Sequence, residues 1–202
     1  MDRLAKAFAE TGEWEKGEDF LLCGNSGNPK LVIIFEKTWV FEAAIEAFKT
    51  QIPCTKGIPS STCLKFLKTL KAKRLIYFGD LDPISFYTFL AISYAKRLPK
   101  PKDKLKLRVK YGGITLRDCK KYLSSWIKIP DYEKVILGWV ERFKIPELRK
   151  EIGFLKKSGR KIEMEGICRC FKMVRDKEGI YFKVSRSKMR EFEGYLKSKL
   201  KM

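Results

Sequence analysis

Three carboxylates stand where chemistry on phosphates would need them. Glu36 directly follows the apolar run Leu31-Val32-Ile33-Ile34-Phe35. Asp80 and Asp82 directly follow Leu75-Ile76-Tyr77-Phe78, within Gly79-Asp80-Leu81-Asp82-Pro83. Short runs that are apolar on both faces read as buried parallel strands, and open parallel sheets bind ligands at the carboxyl ends of their strands. If the two strands are neighbours, three like charges converge at one edge and repel unless a cation neutralises them. Hard oxygen ligands select Mg²⁺, with Mn²⁺ as the alternative. Such an ion would bind a phosphate and stabilise charge on transferring oxygens. An Asp-x-Asp-Pro sequence also caps helices, so on spacing alone both readings stand.

The rest of the composition narrows the chemistry. The chain has 202 residues, with 44 Lys+Arg against 24 Asp+Glu, no histidine and a net charge of +20. Without histidine, this chain holds no Ser-His-Asp triad, no Cys-His pair and no His-ligated metal. Carboxylates, hydroxyls, thiols and lysines remain. A charge of +20 makes a polyanion the natural partner, because cations set against phosphates release condensed counterions. DNA or another nucleic acid is the first expectation and an anionic membrane surface the second. The 45% of hydrophobic residues suffices for a core. Residues 96–128 hold twelve Lys/Arg and two Asp, which is half of the whole surplus.

The elements that must position these groups follow from periodicity. After a turn-rich stretch at 24–29 comes the strand 31–35. Residues 38–50 then place Val40, Phe41, Ala44, Ile45 and Phe48 at helical spacing. Ser60 or Ser61 caps a helix with Leu64, Leu67 and Leu70 on its inner face. A strand at 74–78 and a helix over 85–97 follow, and strand alternating with helix predicts a parallel α/β sheet. Residues 104–111 alternate charged with apolar, which predicts a strand whose basic face carries Lys104, Lys106, Arg108 and Lys110. That face is either a solvated, lysine-protected edge or a phosphate-tracking stripe. Helices are expected at 116–126, 130–143 and 146–156, a strand at 179–184, and a basic helix at 187–201.

Several of these segments, in this order and spacing, resemble a Toprim domain. They are Phe35-Glu36-Lys37-Thr38-Trp39-Val40-Phe41, Lys56-Gly57-Ile58-Pro59 with Phe66-Leu67, Gly79-Asp80-Leu81-Asp82-Pro83, and Lys161-Ile162-Glu163. The likeness is to the Toprim half of the topoisomerase VI A subunit, the meiotic double-strand-break protein and the Wadjet nuclease subunit. The Gly-Asp-x-Asp-Pro form is nearest to the last. The resemblance implies an α/β, Rossmann-like parallel sheet flanked by helices, with a mainly helical basic C-terminal extension. It divides the chain into an acidic segment at 1–20, a Toprim core at 21–130 and the C-terminal part of the Toprim half at 131–202. It implies Glu36, Asp80 and Asp82 as catalytic magnesium ligands, with Glu36 alternatively a general acid or base. Glu163 and Glu165 match the late acidic motif, as a second metal site or as acids paired with Lys161 or Arg160. Lys37, Lys56 and Lys65 join the basic strand as candidate phosphate contacts.

Three departures accompany the match. Only about twenty residues precede the Toprim-like region, so no tyrosine-bearing winged-helix domain is expected, and none of the eight tyrosines matches its nucleophile. Where the A subunit commonly has Thr-Arg, this chain has Cys63-Leu64-Lys65, and the glycine usual after Asp-x-Asp-Pro-x is Ser85. The expected activity is therefore metal-dependent cleavage of DNA, as a nuclease or nickase, or as the metal-binding part of a split cleavage complex. A non-catalytic DNA-binding or clamp subunit is the alternative. The implied partners are DNA, a winged-helix or GHKL-type ATPase chain, and a second copy of this chain.

The remaining features are plainer. The opening twenty residues lack a signal-peptide core, and the longest nearly uncharged stretch, 84–95, is too short to cross a bilayer, so a cytoplasmic protein is expected. Six cysteines without a CxxC pair read as mostly buried thiols. The four tryptophans read as core or interface aromatics rather than a base-stacking platform. One glutamine and two asparagines beside abundant Lys and Glu suggest a thermophilic source. Met189, Phe192, Leu196 and Leu200 give the last helix an apolar face that packs on the sheet or meets a membrane surface.

Overall fold

Leu31–Phe35 is built of β-branched and large apolar residues, and in the computed structural model Val32 to Phe35 are wholly buried. The structure describes residues 14–16, 20–23, 30–47, 52–70, 72–121, 125–167, 171–176, 179–184 and 186–200. In chain order the first elements are β1 (Trp14–Lys16), β2 (Leu21–Cys23), β3 (Leu31–Phe35), α1 (Thr38–Ala47) and β4 (Ile52–Cys54). They are followed by α2 (Ser61–Thr69), β5 (Arg74–Phe78), α3 (Pro83–Tyr94) and β6 (Val109–Tyr111). One six-stranded sheet has the order β1-β2-β4-β3-β5-β6, in which β4, β3, β5 and β6 run parallel and β2 runs against β4.

That order places the site. From β3 the chain steps to β4 on one side, then crosses to β5 on the other and continues outward to β6. The strand order thus reverses between β3 and β5, and at such a switch point the crevice beyond the strands' carboxyl ends opens. The β3–β5 register pairs Phe35 with Phe78, so Glu36 and Gly79 leave the sheet side by side. The neighbouring strands required by the sequence reading are present.

Helix α3 is apolar all round, and Phe86, Leu90, Ala91 and Ile92 are buried. Asp82 caps it, with Pro83 in the first turn, where a missing N–H costs nothing. Ser60 caps α2 by accepting from the Cys63 N–H at 3.0 Å. At the far end of β6 the chain folds over Gly79: a Cβ on Gly113 would lie 2.1 Å from the Gly79 carbonyl oxygen. Only glycine allows that approach.

The second half adds further helices and two small two-stranded sheets. It contains α4 (Leu116–Lys121), β7 (Ile127–Lys128), α5 (Asp131–Glu141), α6 (Arg149–Ser158) and β8 (Arg160–Lys161). The hairpin β9 (Phe171–Asp176) and β10 (Gly179–Val184) and the helix α7 (Arg186–Leu200) complete it. Strand β8 pairs with β7, and the next residue, Ile162, forms an antiparallel bridge with Leu81 through hydrogen bonds of 3.0 and 3.1 Å. Phe192, Tyr195 and Leu196 of α7 are buried, and the Phe192 ring lies 5.2 Å from Trp39, so this helix packs inward as expected, though against helix α1 rather than on the sheet. No helix among the described residues is long and apolar enough to cross a membrane. Cys54 and Cys63 are buried and Cys119 is partly so; the side chains of the other three cysteines lie outside the described residues.

Three expectations need correction. Only Val109–Tyr111 of the alternating basic segment is strand. Before it, the Lys106 and Leu107 N–H groups both bond to the Ser93 carbonyl oxygen, closing the end of α3 instead of extending the sheet. Helix α4 is described as far as Lys121, and Ser125 and Trp126, expected within or at the end of it, are not helical. Six strands, β1, β2, β4, β7, β8 and β9, were not predicted: the first five have only two or three residues, too few to show a period, and in β9 the alternation breaks at Met173-Val174.

Candidate functional site

The carboxyl end of the β3–β5 pair gathers acids from three distant stretches. Glu36 and Lys37 leave β3, Asp80 and Asp82 leave β5, and the Leu81–Ile162 bridge brings in Glu163 and Glu165 from the short 3₁₀ turn Met164–Gly166. The Met164 N–H donates to Asp80 Oδ1 at 2.8 Å, which locks that turn onto the strand end. One carboxylate oxygen each from Asp80, Glu163 and Glu165 lies within 4.8 Å of the others, a separation that suits a single metal ion. Among them lies the Lys37 ammonium, 2.8 Å from Asp80 Oδ2, 2.5 Å from Glu165 Oε2 and 3.4 Å from Glu163 Oε2. Trp39 Nε1 donates to the other Glu165 oxygen at 2.8 Å.

Glu36 has a different setting. Its Oε2 accepts from Tyr77 Oη and Ser85 Oγ, both at 2.5 Å. Ser85 Oγ in turn accepts the Asp80 N–H at 2.8 Å. Ser85 therefore ties Glu36 to the Asp80 backbone, a link a glycine at this position could not make. A Cβ on Gly79 would lie 2.6 Å from the Tyr77 ring, so that glycine leaves the ring its space beside Glu36. Tyr111 Oη donates to the Asp80 carbonyl oxygen at 2.5 Å. Asp82 serves as a cap: its Oδ1 accepts the Ser85 N–H at 2.6 Å, while Oδ2 lies 3.6 Å from Lys161 Nζ. Lys161 is itself buried and reaches Glu133 of α5 at 2.6 Å and Glu163 at 3.3 Å.

Electrostatics follow from this crowding. Six carboxylates (Glu36, Asp80, Asp82, Glu133, Glu163 and Glu165) meet two ammonium groups, Lys37 and Lys161. Burial lifts Asp80 well above the ordinary carboxylate range; Lys37 opposes the rise and the Asp82 and Glu36 charges add to it. Burial, then the Glu36 charge, push Asp82 up to about 7, against the Ser85 N–H and Lys161. Burial would lower Lys37, but the Asp80 and Glu165 charges outweigh it and hold the ammonium protonated. Lys161 is held protonated in the same way, burial being outweighed first by its hydrogen bond to Glu133. For Glu163 burial raises the carboxyl, yet Lys37 and Lys161 together bring it below its usual value.

The structure thus brings Glu36, Lys37, Asp80, Asp82, Glu163 and Glu165 to one place, and joins Asp80 with the two late acids more tightly than with Glu36. The pairing of Lys161 with Glu163 is present as well. The other candidate cations lie outside this cluster. Lys56 is exposed in the turn after β4, Lys65 on the outer face of α2, Lys104, Lys106 and Arg108 in the segment that runs past the end of α3, and Lys110 in the edge strand β6. Sequence reasoning missed Tyr77, Tyr111 and Glu133. The first carried a usable signal, since a tyrosine inside a strand buried on both faces needs a partner for its hydroxyl.

A donor set made only of carboxylate oxygens, with Asp80 buried and Glu163 and Glu165 partly exposed, and in excess over its cations, fits a hard divalent ion. A family model described as "Protein of unknown function C-terminus (DUF2399)" matches residues 22–90, the stretch that carries Glu36, Lys37, Asp80, Asp82 and Ser85. No curated protein matches the chain.

Proposed function

We propose that this chain is a Mg²⁺-dependent, Toprim-like protein acting on the phosphate backbone of DNA. It works as a nuclease or nickase, or as the metal-binding part of a topoisomerase VI A-like cleavage complex with a partner chain. The observation that carries this reading is the convergence of Asp80, Glu163 and Glu165 at the switch point between β3 and β5, flanked by Glu36 and Asp82. Asp80, Glu163 and Glu165 would hold the ion, with Glu36 and Asp82 beside them. When bound, the ion supplies positive charge to a phosphate oxygen and lowers the pKa of a coordinated water.

The chain's own residues do the rest. Tyr77 and Ser85 fix the Glu36 carboxylate, which can accept a proton at Oε1 or Oε2 from a water entering the crevice. Asp82 holds the start of α3, and Met164 holds Asp80. Lys37 balances the acids until a cation or a phosphate takes over one of its contacts. The +20 charge, half of it within residues 96–128, draws the polymer to the surface.

The experiment is incubation of the purified chain with supercoiled plasmid in Mg²⁺ or Mn²⁺, beside Glu36→Ala and Asp80→Ala. Nicking by the wild type that both variants lose is the expected result. Salt-sensitive binding without cleavage in either metal would instead leave a non-catalytic DNA-binding subunit, a reading that the internal pairing of Lys37 with Asp80, Glu163 and Glu165 favours.

A further inference from the structure

Away from the acids, α4 and α6 leave a groove of about 670 Å³ between them. Its apolar lining comprises Leu116, Cys119 and two rings, Trp126 and Phe154, whose centroids are 5.0 Å apart with planes tilted by 48°. Both rings are only half-buried. Three cations also line it, Arg117 and Lys120 from α4 and Lys150 from α6, all solvent-exposed. Among the described residues the one lining acid, Glu151, is nearly buried.

This combination has a specific chemistry. An aromatic face backed by a second ring stacks any flat heterocycle, and cations along the rim meet the phosphates on either side of it. A duplex keeps its bases stacked inside and offers such a groove nothing but its backbone. The groove's position is set by the acid cluster: the Ser125 N–H donates to the Gly166 carbonyl oxygen at 3.1 Å. A Cβ on Gly166 would lie 2.9 Å from the Ser125 carbonyl oxygen, so the two backbones touch. Trp126 is therefore held one residue along from a contact that is itself one residue from Glu165.

We propose that the Trp126–Phe154 groove binds an unpaired nucleotide of DNA, so that the substrate of the neighbouring acid cluster is single-stranded or locally opened. This deepens the DNA-backbone reading and rests on it for the polymer's identity. The charge of the groove carries the choice of occupant: three exposed cations around an aromatic wall complement a nucleotide.

The test is fluorescence anisotropy with a labelled twelve-nucleotide DNA strand and with the matching duplex, in EDTA so that no cleavage occurs. The wild type is expected to bind the single strand more tightly. Trp126→Leu, which keeps apolar bulk, should weaken single-strand binding on the order of ten-fold, the scale of one stacked base, and leave the duplex unchanged. Arg117→Ala with Lys120→Ala should lower the salt slope by roughly 0.7 per lost phosphate contact. Quenching of tryptophan fluorescence by the strand, absent in a Trp126→Phe variant, reads the same contact if Trp126→Leu fails to fold. Equal affinity for strand and duplex, or displacement of the strand by an acidic peptide at matched charge, overturns the proposal. The outcomes separate from those of the preceding section. Binding without plasmid nicking removes the cleavage reading and keeps the groove, whereas nicking that Trp126→Leu retains, without single-strand preference, removes the groove.

Discussion

Replacing Lys37 by methionine tests how the acid cluster is neutralised. The side chain is 23% exposed and Asp80's is 4% exposed, so the ammonium and its strongest partner are largely out of water. Removing one member of a buried ion pair costs about 3–5 kcal/mol, because the other charge is left without compensation. Here three carboxylates lose their common cation at 2.8, 2.5 and 3.4 Å. The lower end of that range applies, since Glu163 and Glu165 retain contact with solvent, and about 3 kcal/mol corresponds to a fall in Tm of roughly 6–12 °C for a domain of this size. Mg²⁺ should reverse the loss. A ligand that binds only the native state at a hundred times its Kd adds about 2.7 kcal/mol. The wild type gains less, because the ion must first displace the ammonium. The assay is thermal unfolding of both proteins in EDTA and across a Mg²⁺ series. Equal stability in EDTA, or an equal rise with Mg²⁺ in both, would refute the placement of Lys37 at the cation position.

Two further outcomes follow from the same geometry. In EDTA the native state keeps a proton on Asp82 that the unfolded chain releases above its ordinary carboxyl pKa, so the Asp82 contribution to stability falls as pH rises from about 4 to about 7. Asp82→Asn, which retains the cap, should flatten that slope in urea titrations at pH 5 and pH 8, and an unchanged slope would contradict the assignment. Gly113→Ala should destabilise by about 1–3 kcal/mol, because its Cβ meets the Gly79 backbone. Gly138→Ala within α5, where a Cβ meets nothing, should stabilise by about 0.4–1 kcal/mol, and calorimetry of the pair checks both signs.

The sheet centre was legible because β3 and β5 are apolar on both faces, a local pattern that permits few other structures. Their acids were legible for the same reason: Glu36, Asp80 and Asp82 stand next to the runs they follow. The grouping of Asp80 with Glu163 and Glu165 was less legible, because it depends on one bridge between residues 81 apart in sequence, Leu81 and Ile162. Lys37 shows a second limit. A lysine at a strand end is ordinarily solvated, and it is Asp80 together with the acids arriving from that bridge that turn it inward. The basic segment before β6 shows a third, since the alternation there does not reflect a buried face: Leu105 is exposed, and the segment is tied by its backbone to the end of α3. Trp126 and Phe154 are separated by two secondary-structure elements and a turn, so their pairing left no trace in spacing.

The Leu81–Ile162 bridge also sets an order of events. A contact between residues so far apart closes a long loop and forms only after the intervening helices have folded back. The stretch 22–90 alone carries Glu36, Asp80 and Asp82 but neither Glu163 nor Glu165, so a chain growing from its N-terminus holds an incomplete cluster until those two residues have been added. The acid cluster is thus completed late, and until residues 163 and 165 arrive Lys37 has only Asp80 of its three acids to pair with.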